Sequence, residues 1–224
     1  DAENRIITQS YDAEDKLIAV SSPTGGTTSY AYTPFGEIST LGDANGNVTM
    51  LHYDERGLQT SVESADTGRR SSVWNAFGEL VSQTDALSPA NTINFSYDQL
   101  GRLIQRSDSG QSPTIWTFHT ASGPLLGLPQ RVTAPLGSAP AGFVEQYGYD
   151  ALGRRTSLST TIDGTTYVTG YGWDSLGRVA TMSYPQTVDG AQVSLAYHYD
   201  STGNLDVVEQ DIGGGGSFWM RVYD

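Results

Sequence analysis

The sequence predicts an all-β protein made of tandem β-hairpins that form a long, twisted antiparallel sheet. An aromatic residue with glycine four positions after it recurs along the chain, mostly at intervals of 21–26 residues. Glycine (26 residues) and proline (9) are scattered among threonine, serine, asparagine and aspartate. Such a distribution is typical of many short strands separated by turns. No window of ~11–18 residues has the amphipathic period of a helix.

Eight aromatic anchors define the repeat. They are Tyr11, Tyr32, Tyr53, Trp74, Tyr97, Tyr149, Trp173 and Tyr199. Seven have a glycine four residues later: Gly36, Gly57, Gly78, Gly101, Gly153, Gly177 and Gly203. After Tyr11 that position is Asp15, and aspartate also tolerates the left-handed conformation. This regularity argues against coincidental spacing in a tyrosine- and glycine-rich β protein.

The motif has a physical interpretation as a hairpin turn. The anchor ends one strand, and the aspartate that usually follows accepts backbone N–H groups as an Asx turn. Glycine supplies the positive φ of a tight connection. Tyr30, Phe95 and Tyr197 each lie two residues before an anchor, so paired aromatics share one face of a strand. A single hairpin cannot bury its face alone, but a stack of hairpins can.

We expect residues 1–224 to be a single run of about nine repeats, a fragment of a larger protein. The interval from Tyr97 to Tyr149 has room for one worn repeat around Trp116-Thr117-Phe118. Residues 105–145, which hold five of the nine prolines, are predicted to be a degenerate repeat or a Pro/Gly-rich loop. Tyr223-Asp224 begins a ninth anchor, and we expect the glycine run before Ser217 to be a natural turn between repeats.

Charge and composition exclude several classes of partner. The chain has 12 basic and 25 acidic residues, a formal net charge of -13, so nucleic acid and anionic membrane surfaces are disfavoured. No apolar stretch reaches the ~18 residues that suggest a membrane span. The absence of cysteine excludes disulfides, thiolate zinc sites and cysteine nucleophiles.

The sequence singles out no catalytic, cofactor or metal site, and we expect the chain by itself not to be an enzyme. His52 and His198 each lie immediately before an anchor, so repeat position explains them better than catalysis. The aspartates after the anchors are expected to form turns. The stretch 43–47 superficially resembles a calcium loop, but its Gly46 is fourth where an EF-hand loop needs glycine sixth.

The complete motif Tyr97-Asp98-Gln99-Leu100-Gly101-Arg102-Leu103 resembles the hallmark of the RHS, or YD-repeat, proteins. That family includes bacterial RHS polymorphic toxins, the cocoon-forming components of insecticidal toxin complexes, and teneurins. The resemblance covers nearly the whole chain, with a weak patch between about 105 and 145. It implies a sheet that spirals into a hollow shell. The family's self-cleavage element is built around Asp-Pro, and no Asp-Pro dipeptide occurs here.

The resemblance implies a non-catalytic structural segment of a secreted or cell-surface bacterial shell, which encapsulates a C-terminal toxin or effector for delivery to target cells. Its partners would be the rest of its own shell and that effector. The alternative is a cell-surface adhesion or carbohydrate-binding module, whose exposed Tyr and Trp rings contact glycans or a receptor. A shell packs its aromatic residues between repeats or against its cavity, whereas an adhesin leaves a solvent-facing row.

Overall fold

A computed structural model describes residues 6–23, 25–87, 89–137, 139–188, 190–211 and 217–221. These residues form nineteen strands and no helix, which confirms the all-β antiparallel prediction. Two compact units divide the chain, 1–110 and 111–224. Within the described ranges, no helix has the length and apolarity to cross a membrane.

The first unit is an antiparallel meander in which each strand pairs with the next along the chain. Its strands are β1 (Thr8–Tyr11), β2 (Leu17–Ser21), β3 (Thr27–Tyr32), β4 (Ile38–Gly42), β5 (Val48–Tyr53), β6 (Gln59–Ser64), β7 (Gly68–Trp74), β8 (Leu80–Thr84), β9 (Thr92–Tyr97) and β10 (Leu103–Asp108).

The second unit repeats this arrangement. Its strands are β11 (Thr114–Phe118), β12 (Pro129–Leu136), β13 (Ala139–Tyr149), β14 (Arg155–Ile162), β15 (Thr165–Trp173), β16 (Val179–Ser183), β17 (Ser194–Tyr199), β18 (Leu205–Asp211) and β19 (Ser217–Arg221). Asp211 pairs with Ser217 across β18 and β19. The glycine run between them and Tyr223-Asp224 lie outside the described residues.

Every anchor is the last residue of its strand, and the next strand begins six residues later. This holds for all eight anchors, including those followed by Gln59 and Arg155, where the motif's usual aliphatic residue is replaced. Strand starts are therefore set by position in the turn and do not require an aliphatic side chain.

A β-bulge accompanies every anchor. Tyr32 pairs with Ile38, but the preceding Ala31 pairs with Thr40, so Ser39 is an extra residue on β4. The same one-residue excess occurs at the other seven anchors. Since bulges bend a strand and increase its right-handed twist, each repeat contributes the same local distortion.

The β11–β12 hairpin has the form of a repeat with a longer turn. Phe118 ends β11 and pairs with Pro129, with a register shift beside it like that at the anchors. Residues 119–128 separate the two strands, whereas only residues 12–16 separate the strands of the first hairpin. We infer that this hairpin is the worn repeat and that Phe118 is its anchor.

No hydrophobic side chain is fully buried in the part of the chain that the structure describes. Half-buried and exposed residues alternate along strands such as β3 and β5, so the anchors lie on a half-buried face. Ser61, 2% exposed, is a buried polar residue in the middle of the first unit. Each unit is thus a sheet without a conventional hydrophobic core.

The exposed strand β1 predicts concentration-dependent association of the chain. All four of its residues are exposed, and it pairs with β2 alone among the described strands, so one row of backbone groups is free to pair. The weight-average mass should rise with concentration in light scattering. Gln9→Lys should reduce the rise, while Gln111→Lys, the same charge change outside β1, should not. A constant monomer mass at high concentration would contradict this.

Candidate functional site

The residue after each anchor organises the turn through its side chain. Asp98 Oδ1 accepts hydrogen bonds from the backbone N–H groups of Leu100 at 2.9 Å and Arg102 at 3.0 Å. The Gly101 N–H donates to the Asp98 carbonyl at 3.0 Å. The same arrangement recurs in the turns that begin at Asp12, Asp54, Asp150, Asp174 and Asp200.

The fourth position of the turn requires a left-handed backbone. The seven predicted turn glycines have φ values from +74° at Gly101 to +98° at Gly36. Asp15, which replaces the glycine in the first repeat, has φ +59°. Glycine adopts this conformation without the steric cost that a Cβ imposes, which explains its recurrence.

Two kinds of turn differ in the sign of the charge five residues after the anchor. In three turns an arginine there pairs with the aspartate that begins the turn: Arg102–Asp98 at 2.6 Å, Arg154–Asp150 at 2.7 Å and Arg178–Asp174 at 2.7 Å. The Arg102 hydrogen bond is the largest cause that lowers the pKa of Asp98. These carboxylates therefore stay charged as both turn acceptors and ion-pair partners.

In the other kind of turn the charge is inverted. Glu37 and Glu79 occupy the arginine position, while Thr33 and Asn75 replace the aspartate. The Thr33 hydroxyl is hydrogen-bonded to the Glu37 carboxylate, and Asn75 Nδ2 donates to Glu79 Oε2 at 2.6 Å. Both turns have phenylalanine at the third position after the anchor, Phe35 and Phe77. We call these two segments, 33–37 and 75–79, the Phe–Glu turns.

Basic side chains of one repeat lie over the anchor ring of the next. Lys16 Nζ is 5.6 Å from the ring centroid of Tyr32. The guanidinium carbon of Arg154 is 5.5 Å from the Trp173 ring, and that of Arg178 is 4.0 Å from the Tyr199 ring. These distances are within the range of cation–π attraction, so the turns interact from repeat to repeat.

The anchors also donate hydrogen bonds to the preceding repeat. Each acceptor is the carbonyl of the residue that begins the strand after the previous anchor. The pairs are Tyr32 Oη to Leu17 O at 2.8 Å, Tyr53 Oη to Ile38 O at 2.9 Å, Trp74 Nε1 to Gln59 O at 2.9 Å, Tyr97 Oη to Leu80 O at 2.9 Å, Trp173 Nε1 to Arg155 O at 2.8 Å and Tyr199 Oη to Val179 O at 2.8 Å. We call this series the anchor ladder.

The worn repeat contacts its neighbour differently. Its anchor, Phe118, has no polar atom at the ring end. His119, the next residue, makes an edge-to-face contact with Tyr149, the anchor of the following repeat, with ring centroids 5.8 Å apart. Its loop also approaches the next turn, because a Cβ on Gly153 would lie 2.8 Å from the carbonyl oxygen of Pro124. The worn repeat thus contacts the repeat that follows it through a ring contact and through its loop.

The other polar residues singled out by the sequence have structural partners. Asp43 Oδ1 accepts the N–H groups of Asn45 and Asn47 at 2.8 Å, and Asn47 Nδ2 donates to its Oδ2 at 2.7 Å, as expected of a turn. His198 Nε2 lies 3.5 Å from Glu209 on the exposed face, and His52 is also exposed. Over the described ranges, no three His, Cys, Asp or Glu residues are grouped so that they could hold a metal ion.

Sequence reasoning located the turns but missed what joins them. The anchor ladder was not anticipated, although one signal was available: all eight anchors are Tyr or Trp, and these rings have a donor that Phe lacks. The cation over the next ring had a weaker signal in the basic residue at the fifth position of several repeats.

Comparison with known families gives one match. Residues 11–48, which include the first two anchors, match the family described as RHS Repeat. The same anchor, turn hydrogen bonds and bulge recur in the later repeats through Tyr199. No curated protein sequence matches the chain.

Several solved structures are similar to the chain at low identity. The Photorhabdus luminescens Tc holotoxin pore with the TccC3-D651A mutation is 15% identical, with a TM-score of 0.44 over 96% of this chain and 15% of that chain. TcdB2-TccC3-TEV is 12% identical, with a TM-score of 0.32 over 96% and 16%. TcdB2-TccC3-Cdc42 is 12% identical, with a TM-score of 0.29 over 97% and 18%. This chain therefore spans less than one fifth of the length of each of these proteins.

Substitution of two left-handed glycines should separate backbone strain from lack of space. Gly46 and Gly153 have similar φ, +86° and +79°, but a Cβ at Gly46 meets nothing within 4 Å. Both alanine variants should lose about 1 kcal/mol from the left-handed conformation. Gly153→Ala also pushes on the Pro124 carbonyl, so it should melt about 2–4 °C below Gly46→Ala. Equal melting temperatures would show that the 119–128 loop does not rest on this turn.

Removal of one hydrogen-bond donor should test the anchor ladder. Tyr199→Phe keeps the ring and deletes the bond to the Val179 carbonyl. The free energy of unfolding in urea should fall by about 0.5–1.5 kcal/mol. Tyr167→Phe, which deletes a hydroxyl at an exposed position of β15, is the matched control and should have little effect. If both variants unfold at the wild-type urea concentration, the ladder does not contribute to stability.

Proposed function

We propose that this chain, of which residues 11–48 match the RHS Repeat family, is a non-catalytic wall segment of a β-sheet shell of the RHS/YD-repeat type. One observation carries the proposal: the polar ends of the anchor rings are used between repeats. Six of the eight donate to the preceding repeat. The polar atoms of these rings join one repeat to the next and are therefore not available to bind a substrate.

The recurring bulge supports a closed wall. A flat sheet of identical hairpins would continue as a plane, whereas a bulge at the same place in each repeat adds the same bend and twist each time. A sheet that curves steadily can enclose a volume. Enclosure also protects its edges from pairing with other proteins.

We propose that the shell is that of a secreted or cell-surface bacterial protein, and that it encloses a C-terminal toxin or effector until delivery to a target cell. The partners of this segment are then further repeats of its own shell and the enclosed effector. The strongly acidic composition supports the exclusion of nucleic acid as a partner.

An adhesion or carbohydrate-binding role is less well supported. Glycan binding by the sheet would use a row of exposed rings. The anchors after Tyr11 are instead half-buried, and most of them are hydrogen-bonded to the preceding repeat. Among the residues whose exposure is described, the most exposed aromatic side chains are instead Phe35 and Phe77, each 88% exposed and each in a turn.

Limited proteolysis of the full parent protein tests enclosure. Mass spectrometry should show that the region C-terminal to the repeats survives while the shell is intact. It should be digested once the shell is opened, for example by a Gly→Val substitution at the left-handed turn position of Gly101. A control protease treatment of the separated C-terminal region establishes that it is cleavable when free. If the region is cut equally fast in the intact protein, nothing is enclosed and an adhesion role becomes the better explanation.

A further inference from the structure

Two grooves on the first unit share one plan. The larger, about 580 Å³, lies between the second Phe–Glu turn and the turn after it, and its lining includes Phe77, Glu79, Tyr97 and Gln99. The smaller, about 380 Å³, is related to it by two repeats and is lined by the equivalent Phe35, Glu37, Tyr53 and Glu55 among others. Each groove thus brings together an exposed phenylalanine, a glutamate and the next anchor ring.

The inverted charge of the Phe–Glu turns accounts for the character of these grooves. In two other repeats a basic side chain extends to the next turn: Lys16 Nζ lies 3.7 Å from where a Cβ on Gly36 would be, and Arg178 Nη1 lies 3.7 Å from where a Cβ on Gly203 would be. Glu79 Oε1 is 3.0 Å from the corresponding position of Gly101. A carboxylate therefore lies at the turn after Tyr97, where two other repeats have a cation, and it lines the same groove as the Tyr97 ring.

The charged residues that line the two grooves are acidic, and the nearest basic groups act from outside the linings: the Lys16 charge contributes to lowering the pKa of Glu37, and Arg56 Nη1 donates to the Asn75 carbonyl at 2.8 Å. Neither lining contains a lysine or arginine among the described residues. In the smaller groove the Thr33 hydroxyl, which is hydrogen-bonded to Glu37, is the largest cause that lowers the pKa of that carboxyl, so it is ionised at neutral pH. In the larger groove burial raises the pKa of Tyr97, and the Glu79 charge raises it further.

The phenylalanines distinguish these turns further. Phe35 and Phe77 are each 88% exposed, and the equivalent position of the Asp–Arg turns is leucine: Leu100, Leu152 and Leu176. An exposed aromatic face attracts a cation through its quadrupole, which leucine does not. Phenylalanine thus accompanies glutamate in both turns whose fifth position is acidic.

We propose that the two Phe–Glu grooves bind basic side chains of a polypeptide partner. A lysine ammonium or arginine guanidinium of the partner occupies the place taken in other repeats by the chain's own cation. It pairs with the glutamate and stacks against the phenylalanine and the anchor tyrosine. The partner is a basic peptide segment, as the net charge of -13 also favours. This site does not depend on whether the sheet belongs to a shell.

The spacing of the grooves specifies the peptide. Four strands separate equivalent points of the two Phe–Glu turns, from β3 to β7, which corresponds to about 19 Å at ~4.8 Å per strand. An extended peptide covers this distance in about six residues. Two basic residues separated by five others should therefore engage both grooves and bind more tightly than either alone.

The test uses the full 224-residue chain and a fluorescent peptide with two arginines separated by five serine and threonine residues. Binding is measured by anisotropy at low and high salt. A peptide with citrulline in place of arginine is the uncharged control of equal shape. The arginine peptide should bind about tenfold more tightly than the citrulline peptide, and salt should weaken it. Equal binding of the two peptides would overturn the proposal.

Variants locate the binding to the grooves. Glu79→Gln and Phe77→Ala should each weaken the arginine peptide about tenfold, whereas Leu152→Ala, at the same turn position of an Asp–Arg turn, should leave it unchanged. The double variant Asn75→Asp with Glu79→Arg rebuilds the turn of Asp98 and Arg102 in the larger groove, so it should fold and yet bind the peptide at least tenfold more weakly, through the smaller groove alone. Unchanged affinity in this double variant, with a wild-type circular dichroism spectrum, would place the peptide elsewhere and refute the site.

Discussion

A sheet in which no described hydrophobic side chain is fully buried must obtain its stability from contacts between consecutive repeats. This constraint governs the rest of the structure. In a conventional domain the burial of side chains against a second layer is the main stabilising contribution. Here each hairpin has only its neighbours, as in other repeat proteins, where stability is a sum of local and nearest-neighbour terms. The motif therefore serves to form hydrogen bonds and cation–π contacts between consecutive repeats.

The anchor residue combines these functions in one side chain. Its ring receives a cation from the preceding repeat at positions such as Tyr199, and its polar atom donates to a carbonyl of that same repeat. The turn that follows then orients the next basic residue through the aspartate, as Asp174 does for Arg178. Ring, turn and cation thus link each such repeat to the next along the edge of the sheet. At Glu79 this position has a carboxylate, so the series of cations over anchor rings is interrupted there.

Much of this arrangement could be predicted from the sequence, because turn chemistry is local. The aspartate and the glycine of each turn act within five residues, and their spacing alone indicates the hairpin and the ends of its strands. The β-bulge and the anchor ladder were not predictable in the same way, since each depends on the register between two strands. The Phe–Glu turns illustrate the difference. In the sequence Phe77 is a variant of the motif. Only the structure shows that it lines a groove together with Glu79 and Tyr97.

The direction of the anchor ladder has a consequence for how such a protein is made. Each donor reaches back to an acceptor 15–20 residues earlier, as from Tyr32 to Leu17 and from Tyr199 to Val179. Contacts so close in sequence cost little loop-closure entropy and form early. At a synthesis rate of ~5–20 residues per second, roughly one to four seconds separate acceptor and donor as they leave the ribosome. The sheet can therefore form in the order of translation, with each repeat joining a folded one before the next is made.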